Sequence, residues 1–211
     1  MSGIAIKICG LKTPEQVRAA ADAGASHVGL VHFARSPRHL SLEDAARLRQ
    51  AVPDAVKPVL LVVDMPQDEL RRACEAVRPD VVQLHGKETP ETCAALRDVL
   101  GCEVWKACGV KDRAMLDDAQ RYVGAVDMLL YDAPAGKLPG GQGLAIDWSL
   151  FSGFKHKAPW GLAGGLTAQN VGEAIRQTGA PLVDTSSGVE SAPGLKDIEK
   201  IRAFCRAARD A

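Results

Sequence analysis

The sequence predicts an α/β fold, a single (β/α)8 barrel running through residues 1–211, and three observations carry that expectation. Eight short apolar, β-branched runs recur along the 211 residues; stretches of helical periodicity separate them; no composition break or linker divides the chain. At about 26 residues per unit the repeat is compact but workable for closure, which typically takes ~200 residues or more. A doubly wound open sheet is the competing arrangement. Eight similar units close naturally, however, and no GxGxxG turn of the dinucleotide-binding type follows the first strand.

The strand-like runs are Ile4 to Cys9, His27 to Phe33, Pro58 to Val63, Val81 to His85, Glu103 to Cys108, Asp127 to Asp132, Pro159 to Ala163 and Leu182 to Thr185. Between them lie helix-start signals. Thr13-Pro14-Glu15 supplies an N-cap, a proline at the first helical position and an acid in the first turn; Ser41 with Asp44, and Thr89 with Pro90 and Glu91, repeat the device. Gly24, Gly101 and Gly179 stand where helices should end.

Strand alternation predicts which side chains face the barrel axis. In the first strand Ile4, Ile6 and Ile8 form an apolar face suited to packing under helices, which turns Lys7 and Cys9 inward. The same reasoning groups Asp132 with Leu130 and Met128, Gln83 with His85, Lys106 with Cys108, and Asp184 with Leu182. Two inward lysines facing inward carboxylates predict a paired polar layer, because a buried charge without a partner is costly.

Composition narrows the function classes. Lys and Arg number 26, as do Asp and Glu, so bulk attraction to nucleic acid or an anionic membrane is not expected. No apolar run reaches the ~18 residues of a membrane span, and the start lacks signal-peptide order, so the chain reads as cytoplasmic. The six cysteines show no CxxC pair and no Cys/His ligand spacing; a metal site and a disulfide framework are both unexpected. Cys74, Cys93 and Cys205 read as small buried hydrophobes.

The chemistry gathers at strand ends. Cys9 closes the first strand and Asp132 the sixth, and parallel strand ends meet at one face, so thiol and carboxyl can serve one site as base and acid. Leu162-Ala163-Gly164-Gly165-Leu166-Thr167 ends the seventh strand, and Asp184-Thr185-Ser186-Ser187-Gly188-Val189-Glu190 ends the eighth. Loops in those two places commonly bind phosphate through backbone N–H groups. A further stretch, Pro139-Gly140-Gly141-Gln142-Gly143, reads as a lid or a ligand-facing turn after Asp132. Arg38, fixed by Pro37 just past the second strand, can overhang the mouth and fork onto a carboxylate; Arg35 beside it illustrates the plain solvated alternative.

These motifs, taken in order, resemble one family. Lys7-Ile8-Cys9-Gly10-Leu11, Ser36-Pro37-Arg38, Gln83-Leu84-His85-Gly86, Leu130-Tyr131-Asp132, Gly140 to Gly143 with Ile146-Asp147-Trp148, Ala163 to Leu166, and Val183 to Glu190 resemble the phosphoribosylanthranilate isomerases of tryptophan biosynthesis over nearly the whole chain. The resemblance implies an eightfold barrel that uses no metal and no organic cofactor. It implies an Amadori rearrangement of N-(5-phosphoribosyl)anthranilate to 1-(2-carboxyphenylamino)-1-deoxyribulose 5-phosphate, a small phosphosugar-anthranilate substrate, and a monomer or homodimer. Carried onto this chain, Asp132 matches the general acid, Cys9 the general base and Arg38 the group that holds the anthranilate carboxylate. Gly141, Gly143, Gly164, Gly165, Ser186, Ser187 and Gly188 match the phosphate site. Ala163 stands where a serine is usual, Gln142 where a small hydroxyl residue is, and His32 where an aromatic or aliphatic residue is.

The residue types suit that chemistry. Opening the ribose ring needs a proton on the ring oxygen, which a carboxylic acid can supply if its surroundings keep it protonated. The iminium then acidifies the C2 proton, and a thiolate is basic enough to remove it. A carboxylate-based sugar-phosphate isomerase or a non-catalytic phosphate-binding barrel would share the glycine loops, but neither calls for Cys9 together with Arg38. A redox protein would need paired cysteines in a recognised spacing.

Overall fold

Alternating apolar runs and capped amphipathic segments fold into strand–helix units, and the computed structural model describes residues 3–134 and 146–211. The strands are β1 (Ala5–Cys9), β2 (His27–Val31), β3 (Lys57–Val62), β4 (Val81–Leu84), β5 (Glu103–Gly109), β6 (Met128–Asp132), β7 (Trp160–Leu162) and β8 (Leu182–Thr185). Each pairs in parallel with the next, and β8 returns to β1 through Ala5 opposite Leu182 and Lys7 opposite Asp184, closing the barrel. Outside it lie α1 (Pro14–Asp22), α2 (Leu42–Arg49), α3 (Gln67–Val77), α4 (Pro90–Leu100), α5 (Arg113–Asp118), α6 (Val171–Thr178) and α7 (Ile198–Arg209). Between β6 and β7 the described residues carry a 3-10 turn, Trp148–Phe151. The antiparallel pair β9 (Glu190–Ala192) and β10 (Leu195–Lys196) precedes α7.

The expected caps form. The side chains of Thr13, Ser41 and Thr89 accept from Gln16 N–H, Asp44 N–H and Thr92 N–H, satisfying donors that a helix start would otherwise leave unpaired. Gly101 and Gly179 end α4 and α6 in left-handed conformation.

Two apolar regions hold the barrel. Ile6, Ile8, Val28, Leu60, Val82, Val104, Leu129, Tyr131 and Val183 pack outward under the helices. Inside, Val59, Val81, Trp105, Leu130, Ala163 and Leu182 form one cluster, while Cys9, Val31 and Leu61 form another with Phe33 and Val63. Alternation therefore runs as read for β1, β6 and β8.

It fails for β5. Trp105 takes the interior position beside the His27 ring (centroids 5.0 Å apart), so Lys106 and Cys108 turn out toward the helices. Lys106 donates to the Gly86 and Ala107 carbonyls at 2.8 and 3.0 Å and pairs with the Glu88 carboxylate at 3.2 Å. Only one of the two expected inward lysines, Lys7, is inward. Reading β5 by its polar residues misplaced it, because a tryptophan fills barrel volume that Lys106 would have left open.

Of the cysteines read as inert, Cys93 and Cys205 are buried. Cys74 is only half-buried.

Candidate active site

The ends of β1 and β6, with the residues just after β2, β4 and β8, surround a cavity of about 460 Å³, counting the space open to solvent. Cys9, Arg38, His85, Asp132, Asp184 and Ser186 all line it, with Gln83 at its base and Val31, Phe33, Leu61 and Val63 as apolar wall. The thiol and carboxyl read from opposite ends of the sequence are thus brought together, and Arg38 joins them.

Cys9 occupies space made by a glycine. A Cβ built on Gly29 of β2 would lie 2.7 Å from Cys9 Sγ and 2.9 Å from its Cα, closer than real Cβ atoms come. Gly29→Ala should force β1 and β2 apart, destabilising the fold by about 1–3 kcal/mol and displacing the thiol. Urea unfolding checks the first effect, and the rate of Cys9 alkylation checks the second; an unchanged alkylation rate would contradict it.

Beneath the thiol lies the buried pair Lys7–Asp184, Nζ to Oδ2 at 2.9 Å. Burial alone would lower Lys7, but the Asp184 carboxylate and the Cys9 sulfur outweigh it and raise it, so the ammonium stays charged. Removing one partner of a buried pair leaves an uncompensated charge. Lys7→Met should therefore lose about 3–5 kcal/mol of stability by urea unfolding, and a loss under ~1 kcal/mol would contradict the pairing.

Burial pushes the Cys9 thiol up from its ordinary value; Lys7 and Lys196 pull the other way without reversing it, and Asp184 adds to the rise. The sulfur therefore holds its proton more tightly than an ordinary thiol does.

Asp132 ends β6 with Oδ1 accepting from Ala133 N–H at 2.8 Å and Oδ2 3.3 Å from His85 Nε2. Gln83 Nε2 faces His85 Nδ1 at 3.5 Å, an amide donor that favours the proton on Nε2, pointing at Asp132. Sequence reading had His85 in a motif without a role; its parity with Gln83 was the available signal.

Arg38 is 8% exposed, and its Nε and Nη2 each donate to Glu190, both at 2.7 Å. Lys196 also reaches Glu190, at 2.7 Å, and burial, which would raise that carboxyl, is outweighed by these two cations, which hold it below the usual range. A Cβ on Gly10, whose φ is +81°, would meet Arg38 Cδ at 2.6 Å, so glycine there lets the arginine lie across the end of β1. Sequence reading had Glu190 at the end of a motif without a role and missed Lys196; the two sit on β9 and β10, past the eighth strand.

The two described glycine loops sit together. Gly164 and Gly165 both have positive φ, and a Cβ on Gly164 would meet Ala133 N at 2.5 Å and Asp132 Oδ1 at 3.1 Å, so this glycine also makes room for the acid. Gly188 packs on the Leu166 carbonyl, which accepts from the Thr185 hydroxyl at 2.7 Å. Ser187 opens a short 3-10 turn, and the Ser186 hydroxyl donates to the Cys9 carbonyl at 3.0 Å. Gly141 and Gly143 lie outside the described residues.

A closed barrel whose strand ends gather a thiol, carboxyls, an imidazole and an arginine around one small cavity has the architecture of a barrel enzyme. The chain belongs to the N-(5'-phosphoribosyl)anthranilate (PRA) isomerase family, whose model matches residues 6–207. It is 64% identical over 206 residues to the N-(5'-phosphoribosyl)anthranilate isomerase of Erythrobacter litoralis, covering 98% of this chain and 99% of that one. Its fold matches the crystal structure of phosphoribosyl anthranilate isomerase from Thermotoga maritima with a TM-score of 0.88 and 32% identity, covering 99% of this chain and all of the other. A phosphoribosyl anthranilate isomerase solved in complex with reduced 1-(o-carboxyphenylamino)-1-deoxyribulose 5-phosphate matches at TM-score 0.86 and 31% identity, covering 99% and 100%.

Proposed function

We propose that this protein is a cytoplasmic enzyme that isomerises N-(5-phosphoribosyl)anthranilate to 1-(2-carboxyphenylamino)-1-deoxyribulose 5-phosphate, a step of tryptophan biosynthesis. The observation that carries the reading is the convergence of Cys9, Asp132 and Arg38 on one cavity. Asp132 gives a proton to the ring oxygen as the C1–O bond breaks, and the anthranilate nitrogen lone pair forms the C1=N iminium. Cys9 as thiolate takes the C2 proton, the C–H electrons become the C1=C2 bond, and the iminium pair returns to nitrogen. The resulting enolamine tautomerises to the aminoketose, so no electron acceptor is consumed.

The raised thiol fits this sequence. A cationic iminium beside the sulfur favours the thiolate when the base is needed, and a thiol that holds its proton more tightly makes a stronger base once ionised. His85, touching Asp132, is placed to replace the proton the acid gives up. Arg38, steadied by Glu190, takes the anthranilate carboxylate, and Gly164, Gly165, Ser186, Ser187 and Gly188, with Gly141 and Gly143, hold the phosphate. A base that must cycle through a free thiolate suits a reducing compartment.

The test follows the fluorescence of the anthranilate adduct with purified protein and a metal chelator present. Enzyme-dependent loss of signal is expected. Decay at the spontaneous rate would contradict the proposal.

A further inference from the structure

The cavity holds two polar atoms that the acid, the base and the arginine do not use. Asp184 Oδ2 is bound to Lys7, but Asp184 Oδ1 is buried with no hydrogen-bond partner among the described residues. Gln83 spends its amide nitrogen on His85, and Gln83 Oε1 is likewise buried with no partner among the described residues. Both side chains line the cavity that holds Cys9 and Asp132.

Leaving a buried acceptor unmatched costs a protein free energy, and apolar packing could have avoided both cases here. Among the described residues the neighbouring donors make other bonds: the Lys7 ammonium gives one to Asp184 Oδ2, the Ser186 hydroxyl one to the Cys9 carbonyl, and Ala133 N–H one to Asp132. An O–H group of a molecule entering the cavity is a donor that either oxygen can accept. The terminal torsions of Asp and Gln are soft, so a small rotation turns either oxygen to the cavity without surrendering the Lys7 or His85 contact.

We propose that Asp184 and Gln83 accept hydrogen bonds from adjacent hydroxyls of the substrate's sugar, those on C2 and C3, and so select a polyhydroxylated pentose chain. This rests on the function proposed above, which supplies a ribose beside the thiol. It assigns a task to the floor of the cavity: the hydroxyls are held while C2 faces Cys9, so recognition of the sugar and aim of the C2 proton are one event. A site built to accept from a hydroxyl rejects the analogue lacking it, because its acceptor is then left unpaired.

The experiment crosses ligand deletion with side-chain substitution. Affinities of the reduced product, 1-(o-carboxyphenylamino)-1-deoxyribitol 5-phosphate, and of its 2-deoxy and 3-deoxy counterparts are measured by calorimetry for wild type, Gln83→Leu and Asp184→Asn. Wild type should lose on the order of 10- to 100-fold on each deletion. In Gln83→Leu one deletion should become nearly costless, under about threefold, and in Asp184→Asn the cost of the other should fall by about tenfold, as a charged acceptor becomes neutral. A purely structural role would leave the deletion costs unchanged, because it weakens all three ligands alike. Wild-type costs for both deletions in both variants would overturn the inference while leaving the proposed function standing, as would a wild type indifferent to both hydroxyls. A wild type that binds none of the three ligands would instead overturn the function and this inference with it. Should Asp184→Asn fail to fold through loss of charge opposite Lys7, the Gln83→Leu comparison decides.

Discussion

Asp132→Asn is expected to slow turnover by about 10²- to 10⁴-fold while binding the reduced product within a few-fold of wild type, because it removes a transferable proton and almost no volume. The amide keeps an oxygen for Ala133 N–H, which now holds Asp132 Oδ1 at 2.8 Å, so the end of β6 should stay in place. Gly164 leaves the room that either side chain needs. Steady-state fluorescence gives the rate and titration gives the affinity. A fall in affinity matching the fall in rate would point to a collapsed site, and near-normal turnover would remove the acid role.

Cys9→Ser should cost a comparable factor, about 10²- to 10⁴-fold, since a hydroxyl in that position is far harder to ionise than a thiol. The fold should be spared, because serine is the smaller residue in a space already bounded by Gly29. The direction of the thiol's shift adds a second expectation. Burial raises Cys9, so below its pKa the thiolate fraction grows about tenfold with each pH unit. Alkylation of Cys9 by iodoacetamide, followed on its own peptide by mass spectrometry, should climb at that slope from pH 7 to 9 without levelling. A plateau below pH 8 would mean that Lys7 and Lys196 outweigh burial.

Much of this architecture was legible because the local signals agreed with one another. Thr13-Pro14, Ser41 and Thr89-Pro90 announce helix starts by hydrogen bonds that form within a single turn, and such signals survive whatever the tertiary context. The inward Lys7 was readable because Ile6 and Ile8 left it no other face. β5 was not readable in the same way: Val104, Trp105 and Ala107 offer no clean apolar face, and only the volume inside the closed barrel decides that the indole goes in.

The site divides similarly. The meeting of Cys9 and Asp132 at one cavity was legible because strand ends of a parallel barrel must share a face. The gathering of Glu190 and Lys196 with Arg38 was not, because it depends on how the β9–β10 hairpin folds back, a contact between residues 152 positions apart in the case of Arg38 and Glu190. That Asp184 Oδ1 and Gln83 Oε1 have no partner among the described residues depends on the positions of side chains from several strands, which no local pattern carries.

In the proposed mechanism a thiol from β1 and a carboxyl from β6 act on one sugar, and a crystal structure of this protein with the reduced product bound is the decisive check. Cys9 Sγ should lie within about 4 Å of C2, and the Asp132 carboxylate within about 3 Å of the C4 oxygen that was the ring oxygen of the substrate. Either group turned away, or more than about 6 Å from its atom with the phosphate seated in the glycine loops, would contradict the mechanism.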